Sequence, residues 1–451
     1  MPLSKPEGSP ESECNTRVVS GWSGTSHCTG QVVSCFDQDG LLNVFQSGHP
    51  WLPRGAGCSY GDAALLSGGT MVLPTFEDRL NSIGKDFQIT APSSITVSEL
   101  LARLSLIGWT LPVVPGVLGA TLGGMLAADI HGKNHFQMGS LGTWVRSLSL
   151  MIPSGEVLEC SKQNEPEIFR ATLGGMGLTG VILSACLEVV PLKGLQAAVN
   201  VKTTESLRET IQQLESESGK SEYVSAWIDF SKGSVAPGRG VVVCGDRIAD
   251  EQLKDSGSLW QPETGPSLPP IPGFGNTLVR WHNSVYHGLA RWLPQQRLWP
   301  LESLLFPLES WGNWRKVYGQ RGFYQHQSQI PLSQAEDRIQ EIMDLVQASP
   351  YRPTLVVLKR MGEGRGGLSF GETGYTLSMD FANESGCRDL LHRLNEFVAE
   401  ISGKIYLAKD STLTQEQFEK MYPEVDGFRE LRKKVDPRRE IQSELSRRLG
   451  L

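Results

Sequence analysis

Glycine is gathered into three clusters, at 54–69, 116–142 and 172–180. The chain holds 49 glycines in 451 residues, well above ordinary usage, and without the Gly-X-Y period that would mark collagen. Glycine clustered in loops marks places where backbone must approach a neighbour closely. The second cluster is entered by the longest uncharged run, Leu104–Ala128, whose 25 residues would cross a bilayer by length alone. Pro112, Pro115, Gly108, Gly116, Gly119, Gly123 and Gly124 interrupt it. It therefore reads as buried loop and strand rather than one spanning helix.

Apolar residues make up 39% and charged residues 20%, enough for a packed core. The net charge of −7 excludes a general nucleic-acid binder, which needs a basic stripe. Eight cysteines are scattered with no C-x-x-C pair, so neither a zinc site nor a disulfide framework is expected, and free thiols fit a reducing compartment. His131 and His135 have no third ligand partner in the pattern, so no metal site is expected. The polar start of the chain shows no secretory signal, and residues 1–13 read as a disordered tail. A cytoplasmic location is expected.

Thr96-x-x-Glu99 is a capping box, opening a helix with Leu100, Leu101 and Leu104 inward and Gly108 as its stop. Beyond residue 191 the texture changes. Leu207, Ile211 and Leu214 have helical spacing, and Tyr223–Phe230 reads as a strand. Ser333-x-x-Glu336 reads as a second capping box. Thr354–Leu358 is β-branched, and Tyr375, Leu377, Met379 and Phe381 alternate as in a half-buried strand. Leu390, Leu391, Leu394, Phe397, Val398 and Ile401 mark a helix. This mixture predicts an antiparallel α+β domain. Residues 245–320 fit neither pattern. Six of eleven tryptophans fall between Trp260 and Trp314, as expected of an insertion packing its own aromatics or of an apolar-ligand surface. A last helix is expected to align Ile441, Leu445 and Leu449, with the neighbouring arginines solvated.

The first glycine loop, Arg54-Gly55-Ala56-Gly57-Cys58-Ser59-Tyr60-Gly61-Asp62, can turn consecutive N–H groups toward phosphate oxygens. The third contains Gly175-x-Gly177-x-x-Gly180, the dinucleotide fingerprint as a string. That motif needs a strand before it and a helix after it. Here Glu165–Ala171 reads as helix and Val181–Val189 as strand, and Lys193–Thr204 lacks the acidic ribose partner, so the pattern argues against a Rossmann nicotinamide site. The second loop runs from Pro115 to Gly142 and carries His131, Lys133 and His135.

The strings R-G-x-G-x-S-Y-G-D, P-G-x(6)-G-G-x(4)-D-I-H-G-K-N-H and A-T-L-G-G-x-G-L-T-G together resemble the FAD-binding half of flavoproteins of the vanillyl-alcohol oxidase, or PCMH, type. Within that type the chain is most similar to the decaprenylphosphoryl-β-D-ribose oxidase family. Ser225-Ala-Trp227, Trp314-x(3)-Tyr-Gly319, Gln327, Lys359, Ala408-Lys-Asp-Ser411, Met421-Tyr-Pro423 and Val435-Asp-Pro437 extend the resemblance over roughly 18–450. It implies an α+β architecture in which a two-part PCMH-type FAD-binding domain, 1–190 and 404–451, embraces the cofactor. An antiparallel-sheet substrate domain, 191–403, is inserted between the parts.

The implied activity is oxidation of a secondary sugar hydroxyl to a ketone by an FAD-dependent oxidoreductase acting on CH–OH groups, as in arabinan biosynthesis for the cell wall. The resemblance places Arg54–Ser59, Gly61, Asp62, Pro115, Gly116, Thr121, Gly124, Ala128, His131, Gly132, Asn134, Gly139, Ser140, Gly177, Gly180 and Val181 around FAD. It gives Lys409, Tyr60 and His131 to the chemistry; Tyr60 and His131 both remain candidates to orient the hydroxyl or take its proton. It gives Lys133, Trp227, Gln327, Lys359, Thr376 and Ser378 to the substrate. Relatives often tether FAD through a histidine of the first loop, where this chain has Cys58; noncovalent FAD is expected. Ser378 and Thr376 replace a family Cys and Asn, which puts strict substrate identity in doubt. Implied partners are a polyprenyl-phosphate sugar or other polyol, a quinone acceptor and an NADH-dependent short-chain reductase, at the inner face of a membrane. A polyol or secondary-metabolite oxidase using O₂ and a noncatalytic FAD-binding regulator are the alternatives.

Overall fold

A computed structural model describes residues 15–451 apart from 77–79, 82, 85, 232, 235, 250–259, 261–275, 293–295, 310 and 311. The expected tail at 1–13, much of the tryptophan-rich insertion and Trp311 lie outside the described residues. The fold is mixed α+β, with the glycine loops in one part and a large antiparallel sheet in the other.

Two four-stranded sheets lie toward the N-terminus. One holds Asn15–Ser20, His27–Cys35, Thr70–Pro74 and Trp51–Pro53 in that spatial order; the other holds Gln88–Pro92, Val181–Glu188, Val145–Met151 and Val157–Ser161. The helix Val97–Leu106 packs Leu100, Leu101 and Leu104 into their shared core. Its capping box is present in full, with the Thr96 side chain accepting from the Glu99 N–H and the Glu99 side chain answering on Thr96. Gly108 follows at φ +80°, where a Cβ would be strained, and ends the helix. The uncharged run holds loops, the strand Trp109–Thr110 and a short helix, Leu122–Ala127, that its glycines concealed.

The third sheet has eight strands, in the order Gln296–Pro300, Gln196–Thr204, Gly240–Arg247, Tyr223–Ile228, Pro353–Met361, Gly374–Ala382, Phe323–Pro331, Lys404–Ile405. One face packs Tyr375, Leu377, Met379 and Phe381 against helices Leu207–Ser218, Ala335–Ala348 and Cys387–Glu400. The other face was expected to be open on the alternating strand. It is closed too: Thr376 and Asp380 are buried, because that face lies toward the glycine loops. Ser333 caps nothing; Gln334 takes the N-cap position in the left-handed region, and Glu336 is drawn to Arg208. Ile441 precedes the final helix, Glu444–Leu449, and pairs with Trp51 instead.

The last strand, Lys404–Ile405, returns the chain to the N-terminal part. Trp51 N–H donates to the Glu440 carbonyl at 2.9 Å, and Gln442 N–H to the Trp51 carbonyl at 3.0 Å. The arginines of the final helix are not all solvated. Arg448 holds both oxygens of Asp62 at 2.8 Å, lies 2.9 Å from Asp410, and donates to the Leu413 carbonyl. Removing one member of a buried ion cluster leaves uncompensated charge, at a cost of several kcal/mol. Arg448→Met should lower unfolding free energy by about 3 kcal/mol in chemical denaturation, while Arg447→Met, at a half-exposed neighbour, should change it by less than about 1 kcal/mol.

Candidate active site

The loops at 54–60, 115–133 and 176–182 and the inner face of the eight-stranded sheet enclose one long cavity. Each wall has a local cause. Arg54 anchors the first loop: its N–H donates to the Val72 carbonyl at 2.8 Å, and its guanidinium reaches the carbonyls of Ala64 and Ser20. Gly57, at φ +72°, lies so close to that guanidinium that a Cβ there would collide with it. Among the described residues, the N–H groups of Gly55, Ala56, Gly57, Cys58 and Ser59 donate to no protein acceptor. Five successive free donors on one cavity wall are the donor set that a pyrophosphate needs. The loop closes with Tyr60 N–H on the Ala408 carbonyl at 2.8 Å, beside Lys409.

The D-I-H-G-K-N-H string divides into scaffold and wall. Asp129 accepts from Ser140 Oγ and from the Gly142 N–H, each at 2.8 Å, and from Ser369 Oγ. Asn134 Nδ2 donates to the Pro112 carbonyl at 2.9 Å, and His135 Nδ1 accepts from the Gly362 N–H at 3.1 Å. These ties leave His131 and Lys133 to face the cavity. On the sheet, register does the same work. Gln327, Ser378, Val357 and Trp227 form one cross-strand rung; Gln325, Asp380 and Leu355 form the next on one side, and Gln329, Thr376 and Lys359 on the other.

Of the residues expected around the cofactor, Arg54–Ser59, Pro115, Gly116, Thr121, Gly124, Ala128, His131, Gly177, Gly180 and Val181 line the cavity, as do Tyr60, Lys133, Gln327, Lys359, Ser378 and Lys409. The structure does not bring Gly61, Asp62, Gly132, Asn134, Gly139, Ser140, Trp227 or Thr376 to its lining. Asp62 is turned to Arg448, and a Cβ on Gly61 would meet the Asp410 carbonyl. Gly132, Asn134, Gly139 and Ser140 belong to the scaffold around Asp129 and Pro112. Trp227 packs edge-on against Tyr286, ring centroids 5.0 Å apart. Thr376 accepts from Gln327 Nε2 at 3.1 Å, one layer behind the wall. Tyr406 and Gln325 were missed and do line the cavity. Gln325 lies two residues before Gln327 and Asp380 two after Ser378, so strand alternation carried the signal for both.

The electrostatics are lopsided. Lys133, Lys359 and Lys409 all reach the cavity, and among the described residues none has a carboxylate at ion-pair distance. Lys133 instead donates to the Leu304 carbonyl, and Lys409 Nζ lies 3.2 Å from the Tyr60 ring centroid. Burial lowers Lys133 to about 7 and Lys359 to about 8. Burial also lowers Lys409 to about 7, against the pull of Asp380. Asp380 is raised to about 7 by burial, although Gln325 Nε2 donates to it at 2.6 Å. Burial and the nearby Lys359 hold His131 well below the usual imidazole range. His131 Nε2 lies 2.9 Å from Gln327 Nε2, and its buried Nδ1 has no protein partner. Burial raises the Tyr60 phenol above its ordinary range and pushes Cys58 up to about 11. The free donor row, the orphaned imidazole nitrogen and the uncompensated lysines fit an anionic cofactor and substrate.

Two family models match the chain: an FAD binding domain over residues 41–161, and D-arabinono-1,4-lactone oxidase over residues 320–449. The first spans the loops at 54–62 and 115–142; the second spans Gln325, Lys359, Asp380 and Lys409. The chain belongs to the FAD-linked oxidases and is an FAD-dependent oxidoreductase acting on CH–OH groups. It is 32% identical over 456 aligned residues to decaprenylphosphoryl-β-D-ribose oxidase of Mycolicibacterium smegmatis, an alignment covering 97% of this chain and 98% of that one. It is 25% identical to L-gulonolactone oxidase of Bos taurus, with 85% and 86% covered.

The lysine shifts have a definite sign. Each folded pKa lies below the value of a free lysine, so between about pH 7 and pH 9 the unfolded chain binds more protons, and stability of the flavin-free protein should rise with pH. Asp380 acts in the window below: its raised pKa makes stability fall as pH climbs from about 4 to about 7. Lys359→Met should flatten the alkaline rise and stabilise the flavin-free protein at pH 7 by on the order of 3 kcal/mol, read from denaturant midpoints across pH.

Proposed function

We propose that the chain oxidises the 2′-hydroxyl of a polyprenylphosphoryl ribose to a ketone, the first half of an epimerisation to arabinose. The observation that carries this reading is the convergence of three half-buried lysines without carboxylate partners among the described residues on one cavity. A neutral polyol gives them nothing to bind, whereas a sugar phosphodiester supplies the missing negative charge. On this reading residues 1–190 and 404–451 form the FAD half and 191–403 the substrate half. Gly55–Ser59 and the 115–124 turn hold the pyrophosphate and ribityl chain, and Gly177–Gly180 lies toward the adenine. Bound there, FAD supplies the two-electron acceptor for the C–H bond being oxidised.

Lys409 supplies positive charge where negative charge develops during oxidation. His131, kept neutral by burial and with Nε2 accepting from Gln327, orients the hydroxyl from its Nδ1–H, and the hydroxyl proton passes to solvent. Tyr60, kept a phenol, orders that hydroxyl and stacks under Lys409. Lys133, Lys359 and Gln327 position the phosphorylated sugar, and Ser378 stands at the wall as a small donor. Cys58, half-buried and kept a thiol by desolvation, is a poor nucleophile, which supports noncovalent FAD. A quinone accepts the electrons, and an NADH-dependent short-chain reductase consumes the ketone.

Anaerobic mixing tests the substrate. A short-chain polyprenylphosphoryl ribose should bleach the flavin, and alditols and aldonolactones should not. Bleaching by the neutral compounds alone, with H₂O₂ released in air, would replace this reading with that of a polyol or lactone oxidase, which the match of residues 320–449 to the lactone oxidase model favours. Lys409→Met should lower kcat by about 10²–10³ with flavin still bound, measured by turnover and absorbance. Acid precipitation should leave the yellow colour in the supernatant; colour remaining on the pellet would show a covalent bond.

A further inference from the structure

Strands Pro353–Met361 and Gly374–Ala382 of the large sheet are joined by a loop, 362–373, in which five of twelve residues are glycine. None of these residues is among those that line the cavity. The glycines serve close packing instead: a Cβ on Gly364 would collide with the Gly371 carbonyl, and one on Gly371 with the His135 ring. The loop leaves its own sheet and is tied to the part that carries the other glycine loops. Ser369 Oγ donates to Asp129, and the Arg365 guanidinium lies 3.4 Å from the same carboxylate. The Gly367 N–H donates to Glu424 at 2.6 Å. Ser369 and its neighbour Phe370 are both fully buried.

Asp129 stands two residues before His131, with left-handed backbone at φ +41°. Its contacts from Ser140 and Gly142 are local, and those from Ser369 and Arg365 come from the loop. The tie carries Phe370 onto the imidazole. Ring centroids of Phe370 and His131 lie 5.4 Å apart, those of Tyr406 and His131 5.1 Å, and those of Phe370 and Tyr406 4.8 Å. The last side-chain torsion of a histidine is broad, so its rotamer alone does not fix the ring plane. Gln327 holds one atom, Nε2, and leaves the ring free to turn about that contact. Two aromatic rings packed on it remove that freedom. We propose that loop 362–373 is a latch through which the large sheet sets the orientation of His131, with Phe370 and Ser369 as positioning residues. The latch rests on the assignment of His131 as the group that orients the hydroxyl, and not on which sugar is oxidised.

Anaerobic stopped-flow reduction of the holoenzyme tests it, with a short-chain polyprenylphosphoryl ribose, or with an aldonolactone where that is the compound that bleaches the flavin. Phe370→Leu should lower the limiting rate of flavin reduction about 10- to 100-fold, because a small misplacement of an orienting group is costly, and should leave the half-saturating concentration within about twofold and the flavin content unchanged. In the His131→Gln background the same substitution should cost less than about twofold, since the group it positions is gone. Ser369→Ala deletes one hydroxyl at the Asp129 end and should lower the rate about three- to tenfold, which reads the latch even where Phe370→Leu fails to fold. An unchanged rate in the loop variants, or an equal loss with and without His131, overturns the latch. If His131→Gln alone leaves the rate unchanged, the assignment of His131 fails and the latch with it; a loss there with none in either loop variant refutes the latch alone.

Discussion

Arg448 lies between two carboxylates drawn from opposite ends of the chain. Asp62 ends the first glycine loop, and Asp410 follows Lys409 in sequence. Neither carboxylate has enough water to be stable alone, and the guanidinium holds both in fixed relation. Asp410 also accepts the Thr412 and Leu413 N–H groups at 2.8 and 2.9 Å, which fixes the turn that presents Lys409. The Tyr60 N–H bond to Ala408 lies inside this frame. The distance between the free donor row and the cavity lysine is thus set by ion pairs outside the cavity.

The cavity achieves its charge by omission. A surface lysine costs little, and a buried one is normally matched. Here the sheet face offers Gln325, Gln327, Ser378 and Asp380 to the interior, and the single carboxylate among them is raised toward neutrality. The glutamines donate and accept without adding charge. The lysines lose their protons readily while the cavity lacks an anion and regain them when one arrives, so ligand binding and proton uptake are linked.

Backbone requirements were legible in the sequence, and cross-strand geometry was not. Gly57 and Gly177 betray themselves because their left-handed backbone favours glycine, whereas Gly116 and Gly119 have ordinary backbone and open space around them. The helix at 97–106 was legible because both halves of its cap are local. Asp129 looked like one letter of a motif, yet its role depends on Ser369, which is distant in the chain. Tyr406, whose hydroxyl donates to the Ala128 carbonyl at 3.0 Å, sits in a stretch without periodicity. Arg448 resembles any basic residue on a short helix until Asp62 and Asp410 are placed beside it. Ser333 had the right spacing for a cap, but Gln334 and the Arg208–Glu336 pair moved the helix start.

The strand Lys404–Ile405 is only two residues long, yet it redirects the chain from the sheet back to the core it began in. A growing polypeptide has all three glycine loops synthesised by residue 190 or so, and more than two hundred further residues must follow before Lys409 and Arg448 are added. The N-terminal sheets therefore wait, with part of their core uncovered, for the last helices to close over Trp51 and Leu65. Completion of the site is therefore a late event in the synthesis of this chain.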